Sequence, residues 1–121
     1  MDKQTIRFIV NPFSGVSKKK NIHELIQKTL DDTLFEFDLK FTEAPLHAKE
    51  IAQQSVDENV DIVIAIGGDG TVNEVASPLL NTNCKLGIIP GGSGNGFAMH
   101  LGIGRNMKKA LKHLNLSLIH I

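Results

Sequence analysis

The chain of 121 residues is long enough for one domain with a single hydrophobic core, and its 41% content of apolar residues excludes a disordered chain. The 13 basic residues balance the 13 acidic ones, so the charge gives no reason to expect nucleic acid as a partner. The single cysteine, Cys84, excludes an internal disulfide and is typical of a cytoplasmic protein. No signal-peptide pattern and no apolar stretch of roughly 20 residues is visible, so any membrane contact is expected to be peripheral.

The first predicted elements are a strand and a helix. Residues 6–10 form an apolar run that Asn11-Pro12 ends, because proline disfavours helical backbone at the residue before it. Asn21 followed by Glu24 resembles a capping box, and the apolar residues after it share one helical face: Ile22, Leu25, Ile26 and Leu30. The lysines at 18–20, between strand and helix, favour a solvated loop over a phosphate contact.

A second strand and a second helix follow. Phenylalanine and leucine alternate with charged residues over residues 34–42, which predicts a half-exposed strand at a sheet edge. Pro45 suits a first helical turn, and the apolar face of that helix comprises Ala48, Ile51, Ala52 and Val56. Thr42 stands at the end of the strand, where its side chain either reaches a ligand or belongs to a plain turn; the spacing leaves both open.

Two glycine-rich turns organise the rest of the chain. The apolar run at 62–66 stops at Gly67-Gly68-Asp69-Gly70-Thr71, and the run at 86–89 stops at Pro90-Gly91-Gly92-Ser93-Gly94-Asn95-Gly96. If both runs are parallel strands, both turns lie at the carboxyl edge of one sheet, where ligands of open α/β sheets bind. A helix is expected from near Thr71, and Pro78 predicts that it stops early or kinks.

Short elements are predicted beyond the second turn: a helix at 97–101, another at 107–114 and a fifth strand at 118–121. The alternation of strands and helices predicts a parallel α/β sheet. The sequence stops in apolar residues without a polar tail, so we expect it to be the front part of a longer protein.

The first glycine turn has the chemistry of a phosphate site. Gly67, Gly68 and Gly70 lack the Cβ atoms that would keep a phosphate from the backbone N–H groups, and the helix N-terminus adds partial positive charge. Asp69 is unexpected there, because a carboxylate repels phosphate unless it binds Mg²⁺ or accepts a proton from an attacking hydroxyl. The alternative, that Asp69 only caps the helix, stays equally open.

Other polar residues near the two turns are weaker candidates. Glu74 favours the helix dipole, which explains it without a ligand, but it could also hold a metal or a ribose hydroxyl. Ser93 and Asn95 suit phosphate or sugar oxygens, whereas His100 is interpreted as a surface or core histidine. The motifs of a Walker P-loop, a GxGxxG dinucleotide site and a protein kinase are all absent.

Three blocks together identify a family. Asn11-Pro12-Phe13-Ser14-Gly15, then Gly67 to Val75, then Pro90 to Asn95 resemble the catalytic domain of the diacylglycerol kinase and sphingosine kinase family, including bacterial soluble lipid kinases. The resemblance runs from about Ile6 to the end of the chain. It implies an α/β three-layer sandwich with a mostly parallel sheet, like the N-terminal domain of NAD kinases and phosphofructokinases. Residues 1–121 would then be the nucleotide-binding domain.

The resemblance also implies a chemistry: transfer of the γ-phosphoryl group of Mg·ATP to a lipid hydroxyl, with ATP and Mg²⁺ as cofactors. By resemblance, Asp69 is the catalytic residue, as a metal-linked phosphate ligand or as a base. The nucleotide-binding residues implied are Asn11, Thr42, Gly67, Gly68, Asp69, Gly70, Thr71, Glu74, Gly92, Ser93, Gly94 and Asn95. The partners expected are ATP and a lipid, with no nucleic acid; homo-oligomerisation stays open.

Two departures from the family pattern are visible. Gly96 stands where many diacylglycerol-kinase-like members carry an aspartate, which leans toward the sphingoid type. Members also continue into a β-rich domain that contributes lipid contacts, and this chain stops before it. The alternatives are an NAD-kinase-like phosphotransferase, which the turn at 90–95 disfavours, and a non-catalytic nucleotide-binding module.

Overall fold

The computed structural model describes residues 3–11 and 19–90, which form a three-layer α/β unit. The elements are β1 (Gln4–Val10), α1 (Lys19–Thr29), β2 (Phe35–Phe41), α2 (His47–Asp57), β3 (Ile62–Gly67), α3 (Asp69–Leu79) and β4 (Lys85–Pro90). The four strands form one sheet in the order β2-β1-β3-β4, and every neighbouring pair is parallel. The predicted fold class is confirmed. The elements predicted at 97–101, 107–114 and 118–121 lie outside the described residues.

Two apolar cores cover the two faces of the sheet. The first lies between α1 and one face, where Ile22 and Ile26 of the helix meet strand residues such as Phe8 and Ile64. The second lies under α2 and α3 on the opposite face: Ile9, Ala48, Ile51, Ala52, Val63, Ala65, Val75 and Leu79. Because β3 is buried on both faces along its whole length, its sequence shows no polar alternation.

The edge position predicted for β2 is confirmed within the described sheet. Its side chains alternate between the core under α1 and exposed charged positions, so that Phe35 is buried whereas Glu36 is exposed. Charged residues on an edge strand discourage pairing with other chains. The sheet therefore places β1 and β3 at its centre, and the ends of these two strands are where the candidate site lies.

Three local predictions need correction or refinement. The capping box is wrong, because α1 begins at Lys19 and Asn21 lies within the helix. Pro45 is not in a first helical turn, since α2 begins at His47. The early stop predicted by Pro78 is confirmed, because α3 ends one residue later at Leu79.

One buried cation lies among the described residues away from the candidate site. Arg7 of β1 donates two hydrogen bonds of 2.9 Å to the Asp38 carboxylate on β2, one to Glu58 at 3.0 Å and one to Ser55 at 3.3 Å. The hydrogen bonds to Asp38, more than those to Glu58, raise the pKa of the guanidinium despite its burial. These bonds connect β1, β2 and the C-terminal end of α2.

The end of α2 explains how the chain turns back into β3. Asn59 has φ 60°, the Val60 N–H bonds the Ser55 carbonyl at 3.0 Å, and the Asn59 N–H bonds the Val56 carbonyl at 3.0 Å. This is a Schellman motif, in which asparagine replaces the usual glycine. It ends α2 at the amino edge of the sheet, so α2 begins near the carboxyl edge.

Candidate functional site

A cavity of about 630 Å³ opens at the carboxyl edge of the sheet, beside the first glycine turn. Residues from the ends of β1 and β2, the connection to α2, and the first two turns of α3 line it: Asn11, Thr42, Glu43, Ala44, Pro45, Ala48, Thr71 and Glu74. Four of them were predicted from the sequence as nucleotide-binding residues: Asn11, Thr42, Thr71 and Glu74. Chain segments as far apart in the sequence as Asn11 and Glu74 therefore converge on one site.

Hydrogen bonds tie three of these residues together. The Asn11 amide donates from Nδ2 to the Thr71 hydroxyl at 3.3 Å, and the Thr42 hydroxyl donates to Asn11 Oδ1 in a long bond of 3.5 Å. The backbone holds the same residues, since the Thr42 N–H bonds the Val10 carbonyl at 2.9 Å and the Asn11 N–H bonds the Ile66 carbonyl at 3.1 Å. Hydrogen bonds within the protein therefore join the residues at the polar edge of the cavity.

The three glycines of the first turn differ in what they contact. A Cβ atom on Gly67 would stand 2.8 Å from the Thr71 hydroxyl oxygen, so packing inside the protein explains this glycine. Gly68 and Gly70 have no described atom within 4 Å of an added Cβ, so packing explains neither of them. Glycine at an open position permits close approach of a ligand to the backbone. A direct role of Gly67 in cofactor binding stays a prediction.

Asp69 is the first residue of α3 and is exposed. Gly68, with φ −88° and ψ −171°, occupies the N-cap position, and no side chain caps the helix there. The interpretation of Asp69 as the helix cap is therefore wrong. Asp69 lies beside the partial positive charge of the helix N-terminus, but it is not among the described residues that line the cavity.

Glu74 is half-buried and lines the cavity one turn further along α3. Within residues 3–11 and 19–90, no group of three or more histidine, cysteine or acidic side chains could hold a metal ion. In this part of the chain three carboxylate residues lie at the turn or in the cavity lining: Asp69 at the turn, and Glu43 and Glu74 in the lining. The same part contains no helix that is long and apolar enough to cross a bilayer.

The turn between β2 and α2 was missed as a cavity wall by the sequence reasoning. The Ala44 carbonyl accepts the His47 N–H at 3.2 Å, and Leu46 has φ 68° and ψ −3°. With Pro45 before Leu46, these values define a type II β-turn, which favours glycine where Leu46 stands. The proline was the available signal, but its preference for a first helical turn concealed the β-turn.

The second glycine turn starts beside the first one. Pro90, the last residue of β4, pairs in register with Gly67, the last residue of β3. Both strands therefore end at the same edge of the sheet, as the sequence predicted. The predicted ligand residues of that turn lie outside the described residues: Gly92, Ser93, Gly94 and Asn95.

Comparison with known proteins gives a consistent result. Residues 5–120 match the family model of the diacylglycerol kinase catalytic domain. A diacylglycerol kinase of Bacillus subtilis is 38% identical over 102 residues, which cover 82% of this chain and 33% of that protein. Sphingosine kinase B of Dictyostelium discoideum is 34% identical over 113 residues, which cover 88% of this chain and 15% of that protein.

A solved structure of similar fold supports this result. A diacylglycerol kinase from Bacillus anthracis superposes with a TM-score of 0.66 at 30% identity, and the match covers 97% of this chain and 40% of that one. The chain thus spans well under half the length of the relatives that it matches. With the three motif blocks, the parallel sheet and the cavity at its carboxyl edge, the chain belongs to the diacylglycerol kinase catalytic domain family.

Proposed function

We propose that this chain is the nucleotide-binding part of an ATP-dependent lipid kinase, which transfers the γ-phosphoryl group of ATP to a lipid hydroxyl. The observation that carries the proposal is the cavity beside the first glycine turn. Its polar side chains are held by hydrogen bonds, and the two glycines beside it, Gly68 and Gly70, have no packing role among the described residues. Family membership supplies the reaction class.

Each part of the site has a role in this proposal. The backbone N–H groups at Gly68 and Gly70 and the N-terminus of α3 bind the phosphates. Asn11, Thr42 and Thr71 offer amide and hydroxyl groups to the rest of the nucleotide, and Glu74 supports the same side. The second glycine turn, with Gly92, Ser93, Gly94 and Asn95, completes the phosphate site from β4.

The described carboxylates fit a magnesium ion that is bound together with nucleotide. Mg²⁺ in kinases is usually held by one or two carboxylates, phosphate oxygens and water, so a closed protein cage is not needed. We assign this task to Asp69, because it is exposed at the turn and does not occupy the N-cap of α3. When bound, the ion would neutralise phosphate charge. The same carboxylate could instead accept the proton of the lipid hydroxyl.

The lipid acceptor is proposed as a class: diacylglycerol, a sphingoid base or a similar alcohol. Relatives named diacylglycerol kinase and sphingosine kinase support both choices. Lipid contacts are assigned to a β-rich second domain of the whole protein, which would also meet the membrane surface from the water side. Oligomerisation stays open.

The test is a calorimetric titration of the 121-residue chain with Mg·ATP, with metal-free ATP and NAD⁺ as comparison ligands. We expect saturable binding of Mg·ATP and none of NAD⁺. Asp69→Asn should weaken Mg·ATP binding and strengthen metal-free ATP binding, because it removes both a metal ligand and a repulsive charge. The matched control is Asp57→Asn, the same substitution at the C-terminal end of α2, away from the cavity. It should alter neither Mg·ATP binding nor metal-free ATP binding.

Other outcomes would contradict specific parts of the proposal. Binding of NAD⁺ in place of ATP would favour an NAD-kinase-like phosphotransferase. Equal effects of Asp69→Asn on both forms of ATP would remove the metal-linked role. In the whole protein, an Asp69→Asn variant that still phosphorylates a lipid at the wild-type rate would favour a non-catalytic role for Asp69.

A further inference from the structure

The type II turn in the cavity wall carries backbone strain at Leu46. Leu46 is 62% exposed, so burial of its side chain does not hold the backbone at φ 68°. Non-glycine residues rarely adopt this conformation, and they persist in it where surrounding contacts enforce it. A second contact must therefore stabilise this turn, and the structure provides one.

That contact is a side-chain hydrogen bond across the turn. His47 Nδ1 accepts the backbone N–H of Glu43 at 2.9 Å. An imidazole nitrogen accepts only when it carries no hydrogen, so the bond requires neutral His47 with its hydrogen on Nε2. Together with the bond from the His47 N–H to the Ala44 carbonyl, it holds the turn at both ends.

The position of Glu43 connects this bond to the site. Glu43 directly follows Thr42, whose hydroxyl donates to Asn11, and both residues line the cavity with Ala44 and Pro45. His47 is not among the described lining residues of that cavity. Any effect of His47 on a ligand there is therefore indirect, through the backbone that carries Thr42 and the turn.

We infer that His47 is a positioning residue of the nucleotide site, whose neutral Nδ1 holds the 43–46 turn as the cavity wall. Protonation of Nδ1 replaces the acceptor by a second donor facing the Glu43 N–H, and the wall is released. The inference rests on the proposed function, since it assumes that nucleotide occupies this cavity. It predicts that nucleotide affinity falls as the pH is lowered into a range in which Nδ1 is protonated.

The effects of other charged groups have to be separated from that of His47. They lie on the turn and on the elements packed with α2: Glu43 on the turn, Lys49, Glu50 and Asp57 on α2, Asp69 and Glu74 on α3, and Arg7 on β1. ATP itself also titrates. The His47→Asn variant leaves all of these unchanged and places an amide oxygen, which accepts but does not titrate in this range, near the position of Nδ1.

The experiment compares the wild-type chain with His47→Asn and His47→Leu, with Mg·ATP titrated at pH 8.0 and at pH 5.5. At pH 8.0 we expect His47→Asn to bind as the wild type does and His47→Leu to bind roughly two- to tenfold more weakly, the range for one lost hydrogen bond. At pH 5.5 the Mg·ATP affinity of the wild type should fall toward that of His47→Leu. The affinity of His47→Asn should not show this fall.

Hydrogen exchange of the Glu43 amide is the second measurement, and it needs no ligand. Protection factors, which correct for the pH dependence of the chemical step, should be high in the wild type at pH 8.0 and in His47→Asn at both pH values. They should be low in His47→Leu. An unprotected Glu43 amide in the wild type would overturn the inference, whatever the nucleotide affinities are.

The binding results separate this inference from the proposal on which it rests. A wild-type chain that does not bind Mg·ATP contradicts the proposed function for this chain. If the wild type and His47→Leu bind Mg·ATP equally well, only the positioning role is contradicted. A loss of thermal stability in His47→Leu without any loss of affinity would mean that the bond is merely structural, and it would also overturn the inference.

Discussion

Replacing Gly70 by alanine should move stability and ligand binding in opposite directions. Gly70 is the second residue of α3, and an added Cβ would have no described neighbour within 4 Å. Alanine is favoured over glycine inside helices by about 1 kcal/mol, and we expect about half to all of this in the first turn. For a domain of this size the gain corresponds to a rise of roughly 2 to 5 °C in Tm.

The same methyl group should harm nucleotide binding. If a phosphate approaches the backbone at the first glycine turn, the Cβ of Gly70→Ala occupies the space of its oxygens. We expect a loss of at least about tenfold in Mg·ATP affinity, equivalent to about 1.4 kcal/mol. Because the variant is more stable than the wild type, unfolding cannot explain such a loss.

Thermal unfolding and calorimetric titration of the same samples test this prediction. Ser77→Ala is the matched control, since it also improves helix propensity in α3 but lies about 10 Å along the helix from Gly70. It should raise Tm and leave Mg·ATP affinity unchanged. The reasoning about the glycine cradle is refuted if Gly70→Ala raises Tm and binds Mg·ATP as the wild type does.

Two further predictions concern stability. Leu46→Gly should stabilise the chain by about 0.5 to 1 kcal/mol, measured by urea unfolding, because glycine relieves the strain of the left-handed backbone at this exposed position. Leu46→Ala is the control, since it keeps the strain and should give no such gain. The hydrogen bond from the Thr33 hydroxyl, with that from its N–H, lowers the pKa of Asp31 below its ordinary 3.8. The contribution of the ionised Asp31 carboxylate to stability is complete above pH 3.8. It is lost as the pH falls through the lower pKa that Asp31 has in the folded state. Asp31→Asn should remove this part of the acid-side decline in the free energy of unfolding; an unchanged pH profile would contradict it.

Periodicity was a sufficient guide to most of the described elements. The alternating residues of β2 and the continuous apolar run of β3 reflect how many faces of each strand are buried, and burial follows from the local pattern. The starts of the helices were less predictable. A cap is worth about 1 kcal/mol, which is too little to fix where a helix begins. The helix α1 begins two residues before Asn21, and the chain turns through Pro45 before α2 begins.

The candidate site divides in the same way. The glycine turn and Asp69 could be selected as candidates from the sequence because phosphate chemistry demands small residues at a strand end, and local spacing displays them. The wall at Glu43 and the acceptor at His47 were not identifiable, because their roles depend on a turn shape that proline alone does not specify. Thr42 lines the cavity and contacts Asn11, and its contact with a ligand stays a prediction.

The sequence by itself determined the family, the alternation of strands and helices, and the residue types at the site, because these properties are local or depend on short motifs. Only the tertiary structure decided that β1 lies between β2 and β3, which brings Asn11 between Thr42 and Thr71. It also separated Gly67, required by the Thr71 side chain, from Gly70, which is left open. Strand order and side-chain packing join residues that are far apart in the chain, and no local pattern records which partner each one meets.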